Sequence, residues 1–145
     1  MRRLWNLLAL PLLIGAFVAG CGEEQAVVTG DSIQWVESMD VGYEEARASG
    51  KPVMIDVYTD WCVWCHVLDQ QVYSAASVVE KSKEFVSIKL DADENPEDAE
   101  ALSIDGFPTI IFTDSEGKEI SRILGFVEAK EFAREMESAL SKLGS

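Results

Sequence analysis

An apolar, β-branched run, Pro52-Val53-Met54-Ile55-Asp56-Val57-Tyr58, leads almost directly into Trp61-Cys62-Val63-Trp64-Cys65. A strand-like run that delivers a Cys-x-x-Cys to the start of a helix-like run is the layout of a thiol–disulfide redox site. Two intervening residues put both sulfurs on the first turn of a helix, near enough to bridge. The first can face solvent while the second waits behind it. The unpaired N–H groups and positive dipole end of that helix stabilise a thiolate, the attacking species, on Cys62. Cys62 is therefore the candidate nucleophile and Cys65 the resolving thiol, working through a mixed disulfide.

Rival readings of the pair have specific demands. A structural zinc needs about four ligands, and two thiols with the single histidine fall short, so no metal is expected. A plain structural bridge is the other bland reading. His66 raises a stronger rival, because Cys62-x-x-Cys65-His66 also spells the attachment signature of c-type haem. That motif does not call for an acid at Asp56 or an aromatic at Trp61. The alternative role for His66 is a helix residue that tunes the thiols by partial charge near neutral pH.

The N-terminus reads as an export signal. Met1-Arg2-Arg3 is basic, Leu4 to Val18 is mostly apolar, and Val18-Ala19-Gly20-Cys21 ends it, too short a stretch to span a bilayer. Those last four residues resemble the bacterial lipobox, which implies that residues 1–20 are removed and that Cys21 is lipidated. An ordinary signal peptide with an incidental Cys21 is the alternative. Without residues 1–20 the chain keeps 125 of its 145 residues, loses Arg2 and Arg3, and moves from a formal charge of −14 to −16. Such acidity argues against nucleic acid and against electrostatic adhesion to anionic lipid, leaving the acyl chains as the attachment. Cys62 and Cys65 are then the remaining thiols, a working redox pair rather than a disulfide scaffold. At 48% apolar content the chain can bury one core, read as a single domain over residues 32–145 behind a small polar tether at 21–31.

Periodicity places the elements. Ser32 to Val36 alternates as a short strand, and Tyr43 to Ser49 is a helix stopped by Gly50 and Pro52. Val53 to Tyr58 is a buried strand. Cys62 to about Tyr73 and Ala76 to Phe85 are helical. Val86 to Leu90 alternates, Pro96 opens a helix over Glu97 to Leu102, and Thr109 to Phe112 turns through Asp114-Ser115-Glu116-Gly117 into Lys118 to Leu124. Glu128 to Leu143 is amphipathic, with Phe132, Met136, Ala139, Leu140 and Leu143 on one face. The order β-α-β-α-β-β-α predicts an α/β fold, a central mixed sheet with helices on both faces.

That order resembles the thioredoxin fold from about Ile33 to Leu143, and separated positions carry the resemblance. Asp56 lies six residues before Cys62, where thioredoxins keep a buried acid. Trp61 precedes the motif, and Lys89 matches the lysine beside that acid. Gly106-Phe107-Pro108-Thr109 matches the cis-proline loop, and Gly125 the glycine before the last helix. Gly50-Lys51-Pro52 and the stretch from Trp64 to Tyr73 are most similar to the C-terminal periplasmic domain of the DsbD proteins and to small stand-alone thioredoxin-like lipoproteins. The chain departs from thioredoxin itself, which has Cys-Gly-Pro-Cys followed by lysine.

The resemblance implies a cis Phe107–Pro108 bond with the Phe107 backbone open to a substrate strand, Trp61 packed beneath the pair, and a substrate surface of Trp61, Val63, Trp64, Phe107 and Pro108. Burial should raise the pKa of Asp56 and suit it to a proton relay with Cys65, unless it is a solvated strand-end carboxylate. Lys89 pairs with Asp56 or is a surface lysine; Trp64 meets substrate or caps its helix; Trp35 reads as core. The acidic run Asp91 to Asp98 lacks the spacing of a calcium loop and reads as a solvated turn.

The expectation is thus an extracytoplasmic, lipid-anchored, monomeric thiol–disulfide oxidoreductase that reduces protein or thiol substrates. It needs no bound cofactor but a separate membrane electron donor of DsbD type. Gly22 after Cys21 resembles lipoproteins sent to the periplasmic face of an outer membrane, where the source has two membranes. A haem electron carrier and a non-catalytic adaptor that holds a partner are the alternatives.

Overall fold

The computed structural model describes residues 32–144; the expected signal, Cys21 and the tether lie outside the described residues. Ten elements follow in the order β1 (Trp35–Val36), α1 (Met39–Ser49), β2 (Val53–Tyr58), α2 (Val63–Gln71), α3 (Ala76–Ser82), β3 (Val86–Asp91), α4 (Pro96–Ala101), β4 (Thr109–Thr113), β5 (Glu119–Leu124) and α5 (Ala129–Leu143). They build one mixed sheet in the order β1-β3-β2-β4-β5. The three strands β1, β3 and β2 run parallel, and β4 and β5 close the other side antiparallel. Val57 of β2 therefore faces Thr109 of β4, and the end of β2 meets the start of β4.

Strand alternation divides the core in two. Val53, Ile55, Val57, Val86, Ile88, Leu90 and Ile111 pack with Ala46 of α1 and against α4. Met54, Ile110 and Phe112 pack on the opposite face with Leu68, Val72, Tyr73, Val78, Phe132 and Met136, from α2, α3 and α5. Side chains at i and i+2 share a face, so Asp56 and Lys89, paired across β2 and β3, both point into this second face. Each large aliphatic side chain fully buried here contributes about 1.5–3 kcal/mol relative to exposure.

The expected mixed sheet and its helices are present, with local differences. Helix α1 begins at Met39, four residues before Tyr43, because the Ser38 hydroxyl accepts the Val41 N–H and caps it. Gly42 then lies inside the helix against the Ile88 side chain, where any Cβ would collide. Strand β1 shrinks to two residues, Trp35–Val36. Cys62 is the N-cap of α2 rather than a helical residue. On α5, Phe132, Met136 and Ala139 are buried as the pattern requires, but Leu143 is exposed at the end of the stripe. Among the described residues no helix is long and apolar enough to cross a membrane.

Candidate active site

The end of β2 delivers its chain to a turn in which the Cys62 N–H donates to the Thr59 carbonyl at 3.1 Å. Cys62 is extended and caps α2: its Sγ accepts the Cys65 N–H at 3.1 Å, and its carbonyl accepts from the N–H groups of Cys65 and His66. The Cys65 N–H is the donor that a free thiolate at this sulfur would meet. Cys62 and Cys65 form a disulfide with their Cα atoms 5.3 Å apart. Both are largely covered, Cys62 at 6% and Cys65 at 3% exposure, and of the two it is Cys62 that borders the cavity described below.

Across the sheet end, the Phe107–Pro108 bond is cis, as the resemblance implied. The Pro108 carbonyl accepts the Gly125 N–H at 2.8 Å. Gly125 has φ 81°, a left-handed conformation that glycine adopts without a Cβ penalty. Trp61, Val63, Trp64, Asp105, Gly106 and Phe107 line a cavity of about 440 Å³ against Cys62.

Trp61 does not lie beneath the pair. It is 67% exposed, its ring meets Phe107 edge-on at 5.7 Å, and its indole N–H donates to Asp93 at 2.9 Å. Trp61 directly precedes the N-cap, and its partner Asp93 lies in the acidic turn after β3. Trp64 does not cap its helix, since Cys62 does; it is exposed and packs on Phe126 at 5.5 Å. Val63 is exposed at 70%. His66 donates from Nε2 to the Asp60 carbonyl at 2.8 Å. Trp35 is half-buried against Tyr73, at the margin of the core.

Beneath the helix lies a polar group in an otherwise apolar layer. Asp56 is 1% exposed, and its Oδ2 is 3.6 Å from Lys89 Nζ. Lys89 also makes a close ion pair with Asp69, one turn along α2 from the cysteines. Its ammonium sits 5.2–5.4 Å from the ring centres of Tyr58, Trp35 and Tyr73. Burial pushes the Asp56 carboxyl up to about 6; Lys89 opposes the shift and Asp69 adds to it. Burial likewise holds the Tyr73 phenol well above its ordinary value, so it stays neutral. The two groups are close enough to influence each other, yet neither Asp56 Oδ1 nor the Tyr73 hydroxyl has a partner in good hydrogen-bond geometry. Asp56 is thus a buried acid, not a solvated strand-end carboxylate, and Lys89 is its ion-pair partner. Asp69 is held by the same lysine.

Sequence reasoning missed Asp105, Phe126 and Tyr73 as neighbours of these groups. Asp105 and Phe126 carry no local motif and arrive from distant parts of the chain; Tyr73 follows directly on α2, its N–H bonded to the Leu68 carbonyl. Among the described residues no cluster of metal-ligating side chains is present.

Residues 39–140 match the thioredoxin-like domain family. The chain belongs to the thioredoxin-like family. Among curated proteins it is 36% identical over 138 residues to the thiol:disulfide interchange protein DsbD of Cronobacter sakazakii, covering 91% of this chain and 24% of that one. It is 36% identical over 131 residues to DsbD of Klebsiella pneumoniae, covering 86% and 22%. The chain therefore spans about a quarter of the length of these relatives. Among solved structures, a thioredoxin from Thermus thermophilus superposes with TM-score 0.70 at 25% identity, over 77% of this chain and 89% of that one. The C-terminal domain of Neisseria meningitidis DsbD, in its reduced form, gives 0.63 at 21% identity, over 73% and 99%. This thioredoxin-like chain thus carries its Cys-x-x-Cys pair as a disulfide at the mouth of a cavity.

Proposed function

We propose that this protein is an extracytoplasmic, lipid-anchored thiol–disulfide oxidoreductase that reduces disulfides of protein or thiol substrates. The observation that carries the reading is the Cys62–Cys65 disulfide at the N-terminus of α2, facing the Phe107–Pro108 loop.

In the reduced protein the Cys62 thiolate attacks one sulfur of the substrate. A Cys62–substrate bond forms, the substrate S–S bond breaks, and the departing thiolate takes a proton. The Cys65 thiol then yields its proton, and its thiolate attacks Cys62 Sγ. The mixed disulfide breaks, the second substrate thiolate leaves and is protonated, and Cys62–Cys65 closes. Substrate gains two electrons and the protein loses two. Asp56, with its pKa near 6, is ionised in most molecules at neutral pH and serves as the proton acceptor for Cys65. Lys89 positions that carboxylate. Trp61, Val63, Trp64, Phe107 and Pro108 form the substrate surface, and His66 acts on Asp60 rather than on a ligand.

The protein works as a monomer without a bound cofactor. Its electrons come from a separate membrane donor of DsbD type, which the likeness to DsbD supports. Haem attachment would require both sulfurs free and the His66 ring available. The sulfurs are bonded to each other and Nε2 is turned to Asp60, which favours thiol exchange. Attachment through Cys21 rests on the lipobox.

Equilibration against dithiothreitol or glutathione tests the reading. It should show a two-electron couple nearer about −270 mV than about −120 mV, with no Soret band after expression beside haem-attachment machinery. A covalent haem overturns the activity; a potential near the oxidising value overturns the direction. Cys65→Ala should accumulate a mixed disulfide on Cys62 with substrate. Cys21→Ala should release the protein from membranes; attachment that survives a high-salt wash overturns the anchor.

A further inference from the structure

The cavity beside Cys62 has two chemically different walls. One is aromatic: Trp61 and Trp64 are each more than half exposed, yet each is held by a ring behind it, Phe107 and Phe126. The other is acidic, with Asp105 on the cavity lining and Asp93 anchoring the Trp61 indole. Asp60 and Glu94 stand exposed in the adjoining turns. The cations of this end are already engaged. Lys89 is enclosed by Asp56, Asp69 and three rings. Arg122, whose charge Asp105 favours from a distance, gives its guanidinium hydrogen bonds to Glu119 and to the carbonyls of Leu102 and Ser103. An exposed indole face beside surface carboxylates attracts a guanidinium or ammonium, by the ring quadrupole and by charge together.

We propose that the occupant of this cavity is a partner-protein segment with an arginine or lysine next to the cysteine under attack. The cation sits against Trp61 and Asp105. The segment's apolar side chains lie over Trp64 and Leu124, which is itself 66% exposed at the end of β5. This selectivity rests on the assignment of Cys62 as the nucleophile. It goes further by naming the charge that the surface prefers: acids around the cavity repel an acidic segment and speed encounter with a basic one.

The test uses three peptides identical except for Arg, Gln or Glu beside one cysteine, which is joined by a disulfide to 2-mercaptoethanol. Full-length protein is reduced, freed of reductant and mixed with each peptide, and the second-order rate constant of disulfide loss is read by acid quench. The Arg peptide should react about tenfold faster than the Glu peptide, with Gln between, and the spread should shrink in about 0.5 M salt. Asp105→Asn should cut the Arg-to-Glu ratio at least about twofold, and Asp105→Lys should cut it further. Using the ratio within each variant removes any change in folding or thiol reactivity. A ratio within about twofold of unity in the unaltered protein overturns the proposal, and a ratio that Asp105→Asn leaves intact overturns the place of Asp105. Bis(2-hydroxyethyl) disulfide, small and neutral, separates the levels. Failure of the unaltered protein to reduce it overturns thiol exchange itself, whereas its reduction without charge preference overturns only the selectivity.

Discussion

The two faces of the sheet are built to different rules. The face under α1 and α4 buries no charged group: Val53, Ile55, Val57, Ile88, Leu90 and Ile111 pack together, and its buried polar side chains are the neutral Thr109 and Thr113. The face under α2, α3 and α5 is larger and more aromatic, and it contains Asp56, Lys89 and Tyr73 directly below the helix that carries the cysteines. Burying a carboxyl and an ammonium costs several kcal/mol before any pairing returns part of it. A core designed for stability alone would repeat the first face twice. The difference shows where the fold gives up stability, and that place is tied through Asp69 to the helix that Cys62 caps.

The largest effect that sharpens this contrast is on chemistry. Cys62→Ser should abolish disulfide exchange with every substrate, while the oxidised-state stability lost with the short disulfide loop is about 2 kcal/mol. Exchange assays beside urea unfolding measure both. Exchange that persists in this variant would move the nucleophile elsewhere.

On the apolar face the effect should be purely one of packing. Ile88→Ala empties a fully buried site between β3 and Gly42 of α1 and should cost about 2–5 kcal/mol. The cost, read as the urea midpoint, should be nearly the same from pH 4 to pH 7, since Tyr43, the titratable side chain packed on that layer, is held above its ordinary value by burial and stays neutral over this range.

The polar face should answer to pH instead. The Asp56 carboxyl is raised from 3.8 to about 6 on folding, so the folded state binds the proton more tightly than the unfolded chain. Stability from this group is therefore present below about pH 4 and lost as pH rises towards 6, a decline of about 3 kcal/mol. Asp56→Asn should lack that decline, so its stability relative to the unaltered protein should improve between pH 4 and pH 6 and level off above. Parallel pH profiles for the two proteins would break the comparison. The same variant should slow the resolving step and accumulate mixed disulfide.

The smallest effect lies outside both layers. Glu119 and Arg122 form an exposed pair at 2.5 Å, and the Arg122 hydrogen bond holds the Glu119 carboxyl below its ordinary value. That contribution is present above the unfolded pKa and lost as pH falls through the folded one. Glu119→Gln should nevertheless cost under about 1 kcal/mol, because solvent screens the pair.

Much of the scaffold was legible because its signals are local. The run Val53–Tyr58 is a strand with those bounds, and the apolar stripe through Phe132, Met136 and Ala139 is a buried helix face. The Cys-x-x-Cys opens a helix as its spacing requires. The start of α1 was less legible, since Val41 and Gly42 are poor helix formers; capping by Ser38 and contact with Ile88 override them. At the site, the cysteines, Asp56, Lys89 and the Phe107–Pro108 loop stood out by motif and resemblance. The position of Trp61 did not, because its fate depends on Asp93 and Phe107, residues far along the chain.

The sequence by itself determined the alternation that makes a two-faced sheet, the helix that presents Cys62, and the presence of one acid in an apolar strand. Only the tertiary structure decided what surrounds them. The strand order β1-β3-β2-β4-β5 sets Lys89 beside Asp56 and brings Asp69 and Tyr73 over them. It also gathers Asp105 with Trp61 and Trp64 around one cavity. Periodicity reports which way a side chain points, over a few residues. Burial, pairing and pKa depend on what the rest of the chain brings to that side, and in a sheet whose neighbouring strands are joined by crossovers those partners are distant in sequence.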